Sequence, residues 1–133
     1  MTRWDRTLVG ILGSVLPAGG SLPGIDPDRC LELLERIRRE APLPVRLSLH
    51  ASAVLYLVTP IFTVQRLSLA PWLSSARLEQ HTGTMACHRS YLMRQAMLML
   101  KTVAGLCWGA DPRARAALGM PPYDPDPGDW REA

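Results

Sequence analysis

No apolar run in this sequence is long enough to cross a membrane. The longest, "LSLHASAVLYLVTPIF" from Leu47 to Phe62, falls short of the roughly 20 residues a helical span needs and is interrupted by His50 and Pro60. It reads as a buried helix. Cysteine is scarce and odd in number: Cys30, Cys87 and Cys107 show no CxxC spacing, which fits neither a disulfide framework nor a zinc finger and suits a reducing compartment. A dense basic stripe with interleaved aromatics is also missing, so nucleic-acid binding is set aside. Of the fifteen basic residues only Lys101 is lysine, and Phe62 is the single phenylalanine. Enzyme signatures are largely absent: there is no G-x-G-x-x-G, P-loop, G-x-S-x-G or H-E-x-x-H.

What is present is enough apolar side chain for one core, 47% of 133 residues, which fits a single compact domain. The charge is uneven. Residues 47 to 117 hold seven basic and two acidic side chains, whereas 118 to 133 hold Arg131 against Asp124, Asp126, Asp129 and Glu132. A basic body carries an acidic tail. The aromatic bulk lies mostly in four Trp and three Tyr, side chains with a polar handle that suit interfaces as well as cores.

The N-terminus imitates a signal peptide, with Arg3 and Arg6 ahead of the apolar run Leu8 to Leu16. Asp5, Pro17 and the lack of an A-x-A site argue against that reading, and the expectation is a retained segment in a cytoplasmic protein, touching a membrane only indirectly if at all. Leu8, Ile11, Leu12 and Val15 instead make one stripe of an amphipathic helix ending near Pro17. "PAGGSLPGIDPD" is a loop, and Asp26-Pro27 is an N-cap followed by proline at the first helical position. That second helix places Glu32 and Arg36 on its wet side and stops at Pro42 and Pro44.

A third helix of about five turns is expected over Val45 to Val64. Val54 to Val58 is locally strand-like, but length and the lack of a second such run favour helix. Pro71 opens a short fourth helix that "TGT", Thr82 to Thr84, closes. The fifth runs from Cys87 to about Trp108 as the central helix, with Met93, Met97 and Leu100 on one side and Arg94 and Lys101 sharing an exposed edge. Gly109 is read as a left-handed residue after the helix end, Asp111-Pro112 restarts a short helix, and Gly119 ends it. The fold class is therefore all-α, a single-domain bundle of about four to five main helices over residues 1–117, followed by an extended, Pro/Asp-rich tail over 118–133.

Candidate chemistry is thin. "HTGTMACH" brings His81, Cys87 and His88 close in sequence, a set that could hold a metal or form a nucleophilic pair, with ordinary helix-junction residues as the plainer reading. Met93, Met97 and Met99 could line a pocket for an apolar ligand or simply fill the core. Arg113 and Arg115 could hold an anion or form a solvated face. Trp72, Trp108 and Trp130 suit partner anchoring or gap filling, and Tyr123 and Trp130 sit in a segment without helical pattern that could gain order on another surface.

The stretches "LPAGGSLPG", "PLPVRLSLHASAVLYLVTPIF" and above all "LKTVAGLCWGADPRARAALGM" resemble the helical module that accompanies flavin-dependent GMC-type alcohol and sugar dehydrogenases. The chain is similar to the N-terminal helical region of long-chain fatty alcohol oxidases and to the small third subunit of gluconate 2-dehydrogenase. The resemblance rests on Leu100-Lys101, Leu106-Cys107-Trp108, Asp111-Pro112 and Leu118-Gly119, and covers most of residues 8 to 120. Met120 stands where those groups carry an aromatic, and no twin-arginine pair is present. It implies an all-α accessory subunit that supplies no catalytic residue, holds no flavin of its own, and supports a separate FAD-containing GMC-type oxidoreductase; no metal site is expected in this chain. Trp108, Tyr123 and Trp130 are the expected partner-binding residues. The alternative is a stand-alone helical carrier of an apolar small molecule.

Overall fold

The computed structural model describes residues 2–65, 70 and 73–122. Among these residues there are seven helices and no strand: α1 Arg3–Val15, α2 Pro27–Glu40, α3 Leu43–Val58, α4 Pro60–Thr63, α5 Ser75–Ala86, α6 Tyr91–Gly109 and α7 Pro112–Ala117. The all-α, single-domain expectation holds. Helix α6 is the axis, touching α1, α2, α3, α5 and α7, with its most extensive pairing to α3.

Local signals start several helices as expected. Thr2 and Asp5 form a reciprocal capping box on α1, the Asp5 amide donating to Thr2 Oγ1 (3.1 Å) and the Thr2 amide to Asp5 Oδ2 (2.8 Å), which satisfies two orphan donors. The other Asp5 oxygen takes Arg38 of α2 at 2.5 Å, so this cap also joins two helices. Leu8, Ile11, Leu12 and Val15 are buried. Asp26 caps α2 by accepting from the amides of Asp28 and Arg29. Asp111 caps α7 through the Arg113 amide (2.8 Å), although only 1% of it is exposed. The Arg113 guanidinium bonds Asp111 (2.7 Å) and Asp26 (3.1 Å), so one cation spans the N-caps of α2 and α7.

At the far end of α7, Gly119 sits at φ +65°. Its amide donates to the Ala116 carbonyl, and the Met120 amide to the Arg115 carbonyl. This paired closure needs a left-handed residue, which glycine supplies at no steric cost.

Five expected boundaries need correction, the simplest being the helix expected to open at Pro71, which starts at Ser75 behind an N-cap at Ser74. The third helix breaks at Thr59: Pro60 lacks the N–H that would have bonded the Tyr56 carbonyl four residues back, and a separate turn, α4, follows. Thr82 to Thr84 does not close α5, which runs through it to Ala86. Gly83 costs about 1 kcal/mol of propensity, but His81 and Met85, both fully buried on either side of it, hold the turn by packing. The central helix begins at Tyr91, because Cys87 caps α5 and residues 88–90 form the connection. Finally, Gly109 is the last residue of α6, and Ala110 follows in a right-handed conformation. The Asp111 amide bonds the Trp108 carbonyl, so the chain enters the next cap without a left-handed residue.

The core is made by Leu8, Leu12, Leu34, Leu49, Tyr56, Met85, Met93, Met97, Leu100 and Val103 with smaller neighbours. Met93 and Met97 are core residues, while Met99 is only partly buried against them.

Candidate docking surface

A helix that is apolar all round is normally buried on all sides, and α3 and α6 are not. On α3 the core takes Leu49, Ser52, Ala53 and Tyr56, which leaves Leu43, Leu47, Val54 and Val58 in solvent, with Leu47 58% exposed. With Ala51 these fall at steps of four, four, three and four residues, one continuous stripe. Phe62 in α4, 74% exposed, extends the apolar surface beyond the helix end. On α6 the outward residues include Tyr91, Leu92 (62%), Leu98 (56%) and Leu106.

Between the two helices runs an open groove of about 390 Å³. Its α3 wall is Ser48, Ala51, Ser52 and Leu55, and its α6 wall includes Leu92, Leu98 and Met99. Small side chains at 48, 51 and 52 make it a shallow seat with leucines standing along it. Helices α3, α4 and α6 contain no Asp or Glu, and three cations, Arg46, Arg94 and Lys101. Arg94 lies over the Tyr91 ring at 5.8 Å and donates to the carbonyls of His88 and Arg89, which fixes the connection from α5 into α6. Lys101 is exposed. Arg46 turns to the other side of α3, where it donates to the Arg38 carbonyl (3.2 Å), so the groove itself is lined by apolar and uncharged polar side chains, the kind of exposed surface that is enriched at interaction sites.

The residues singled out from sequence are placed as follows. Trp108 is half-buried, and its indole N–H donates to the Pro23 carbonyl at 2.7 Å, pinning the α1–α2 loop to the end of α6. Tyr123 and Trp130, like Trp72, lie outside the described residues. Arg113 is held by two aspartates, and Arg115 Nε donates to the Pro121 carbonyl (2.6 Å).

His81, Cys87 and His88 do not share a site. His81 is fully buried: Nε2 donates to the Tyr56 carbonyl (2.9 Å), the acceptor that Pro60 left open, and Nδ1 faces the Thr63 hydroxyl at 2.5 Å. Both ring nitrogens are therefore committed. Cys87 is exposed, and His88 Nδ1 accepts from the Ser90 amide (3.1 Å). Among the described residues no three His, Cys, Asp or Glu side chains gather in a geometry that could hold a metal, and no helix is long and apolar enough to cross a membrane.

Burial lowers the His81 pKa below its ordinary 6.5, against a smaller opposing effect of the Tyr56 carbonyl. Between the folded value and 6.5 the unfolded chain binds more protons than the folded one, so stability falls as pH drops below about 6.5. The melting midpoint of the chain is expected to decline from about pH 7 to about pH 5, and His81→Gln to lose that part of the decline. Parallel profiles for the two proteins would show that His81 does not titrate with unfolding.

The uncovered faces of α3 and α6 were missed by sequence reading, because periodicity cannot choose a buried side on a helix that is apolar throughout. No family model, curated protein or solved structure matches this chain.

Proposed function

We propose that this chain is a non-catalytic accessory subunit that binds and stabilises a separate, FAD-dependent GMC-type alcohol or sugar oxidoreductase through the outer face of α3, α4 and α6. The observation that carries the binding role is the groove between α3 and α6, with its exposed leucines and a lining free of charged side chains. The class of partner comes from the resemblance of the α6–α7 segment. A subunit that binds only the folded flavoprotein stabilises it by mass action, and burial of the α3/α6 face supplies the free energy of association.

Trp108 contributes in this reading by fixing the loop beside α6, and Tyr123 and Trp130 remain candidate anchors of the tail. The carrier alternative draws less support, since Met93 and Met97 are packed in the core. The test is co-expression of the tagged chain with its neighbouring genes, followed by size-exclusion chromatography read at a flavin wavelength. Co-elution of flavin absorbance with a larger protein supports the proposal. A colourless chain eluting alone from the same co-expression overturns it.

A further inference from the structure

The odd cysteine count hid a pair. Cys30 in the first turns of α2 and Cys107 near the end of α6 are both buried, and their sulfurs stand 3.2 Å apart. They are 77 residues apart in sequence, yet α2 packs directly on α6. A disulfide requires about 2.05 Å between sulfurs, so roughly 1 Å of approach closes the bond. Cys87 is exposed at the end of α5 and belongs to no such pair.

We propose that Cys30 and Cys107 form an intramolecular disulfide when the chain folds under oxidising conditions, stapling α2 to the central helix and leaving Cys87 as the free thiol. With glutathione disulfide as oxidant the chemistry balances. The thiolate of one cysteine attacks a glutathione sulfur, breaking its S–S bond and releasing the first glutathione. The second cysteine then attacks the protein sulfur of the mixed disulfide and expels the other glutathione. Two electrons pass to glutathione disulfide, and the two cysteine protons end on the two departing thiols.

Once folded, the pair is shielded. The hydrogen bond that Cys107 donates to Cys30 pushes the Cys107 thiol up and the Cys30 thiol down, but both sulfurs are buried, out of reach of an external thiol or disulfide. The bond therefore forms while α2 is docking, and the finished cross-link resists reduction until α2 opens. In a reducing cytosol the same pair stays as two thiols, so its state reports the compartment in which the chain folded.

The experiment is to refold the full chain with glutathione disulfide, quench in acid, alkylate with iodoacetamide in denaturant, and measure intact mass and peptide map. The expected product is lighter by two hydrogens, carries one alkyl group at Cys87, and yields a Cys30–Cys107 linked peptide. Closing so long a loop is expected to raise the melting midpoint by roughly 10 °C over the reduced chain, and Cys107→Ala to abolish that difference. Alkylation of all three cysteines, a cross-link through Cys87, glutathione adducts left on Cys30 or Cys107, or equal midpoints for oxidised and reduced chain would overturn the proposal, whereas exchange of the exposed Cys87 with glutathione does not bear on the buried pair.

Discussion

Leu92→Glu combined with Leu98→Glu is expected to weaken binding of the proposed flavoprotein partner at least about a hundredfold while leaving the melting midpoint within a few degrees. Both leucines line the α3/α6 groove and stand mostly in solvent in the free chain. Surface substitutions of this kind usually change stability by no more than about 0.5 kcal/mol. Position 92 also lies in the first turn of α6, where the helix dipole favours the introduced carboxylate. In the proposed complex the same positions would lose water, and each buried, unpaired carboxylate costs about 3–5 kcal/mol, more than enough for a hundredfold loss at about 1.4 kcal/mol per tenfold. Titration calorimetry with circular dichroism checks both halves. Undiminished affinity of a well-folded double variant would remove the groove from the interface.

Tyr56→Ala is expected to be the most damaging single change in the core, lowering unfolding free energy by about 3–5 kcal/mol, a large part of the roughly 5–15 kcal/mol typical of a domain. Tyr56 is completely buried. Its hydroxyl lies 3.0 Å from Ser14 of α1 and 2.9 Å from Thr82 of α5. Those two hydroxyls already donate to the Ile11 and Leu78 carbonyls, so the phenol proton has an acceptor on either side. The ring stacks at a tilt on His81, with centroids 4.6 Å apart, and the backbone carbonyl holds the same imidazole. Alanine would leave a cavity where three helices meet. Tyr56→Phe keeps the ring and removes only the hydroxyl, so about 1 kcal/mol is expected. Chemical denaturation separates the two, and a similar cost for both variants would mean that the polar bridge, not the packing, dominates.

How legible these features were depends on the range of the physics. Asp26-Pro27, Asp111-Pro112 and Gly119 act within one turn, and each was readable because cap chemistry is local. The α1 stripe was readable because only one side of that helix is apolar. Gly83 misled because a weak local preference was overridden by two buried neighbours. The break at Pro60 was hidden inside an apolar run, and its consequence, a carbonyl taken by a histidine on another helix, exists only in the packed chain. The docking face is the same kind of problem: α3 and α6 carry apolar residues on every side, and only the positions of α1, α2 and α5 decide which remain uncovered. Cys30 and Cys107 likewise meet only because α2 lies on α6.

Amide hydrogen exchange on the chain, free and bound to the proposed flavoprotein partner, tests the α3/α6 interface most directly. Binding is expected to slow exchange in α4, the solvent side of α3 and the first half of α6, with α2 unchanged. Protection confined to α2 and α7, or none on α3 and α6, would contradict it.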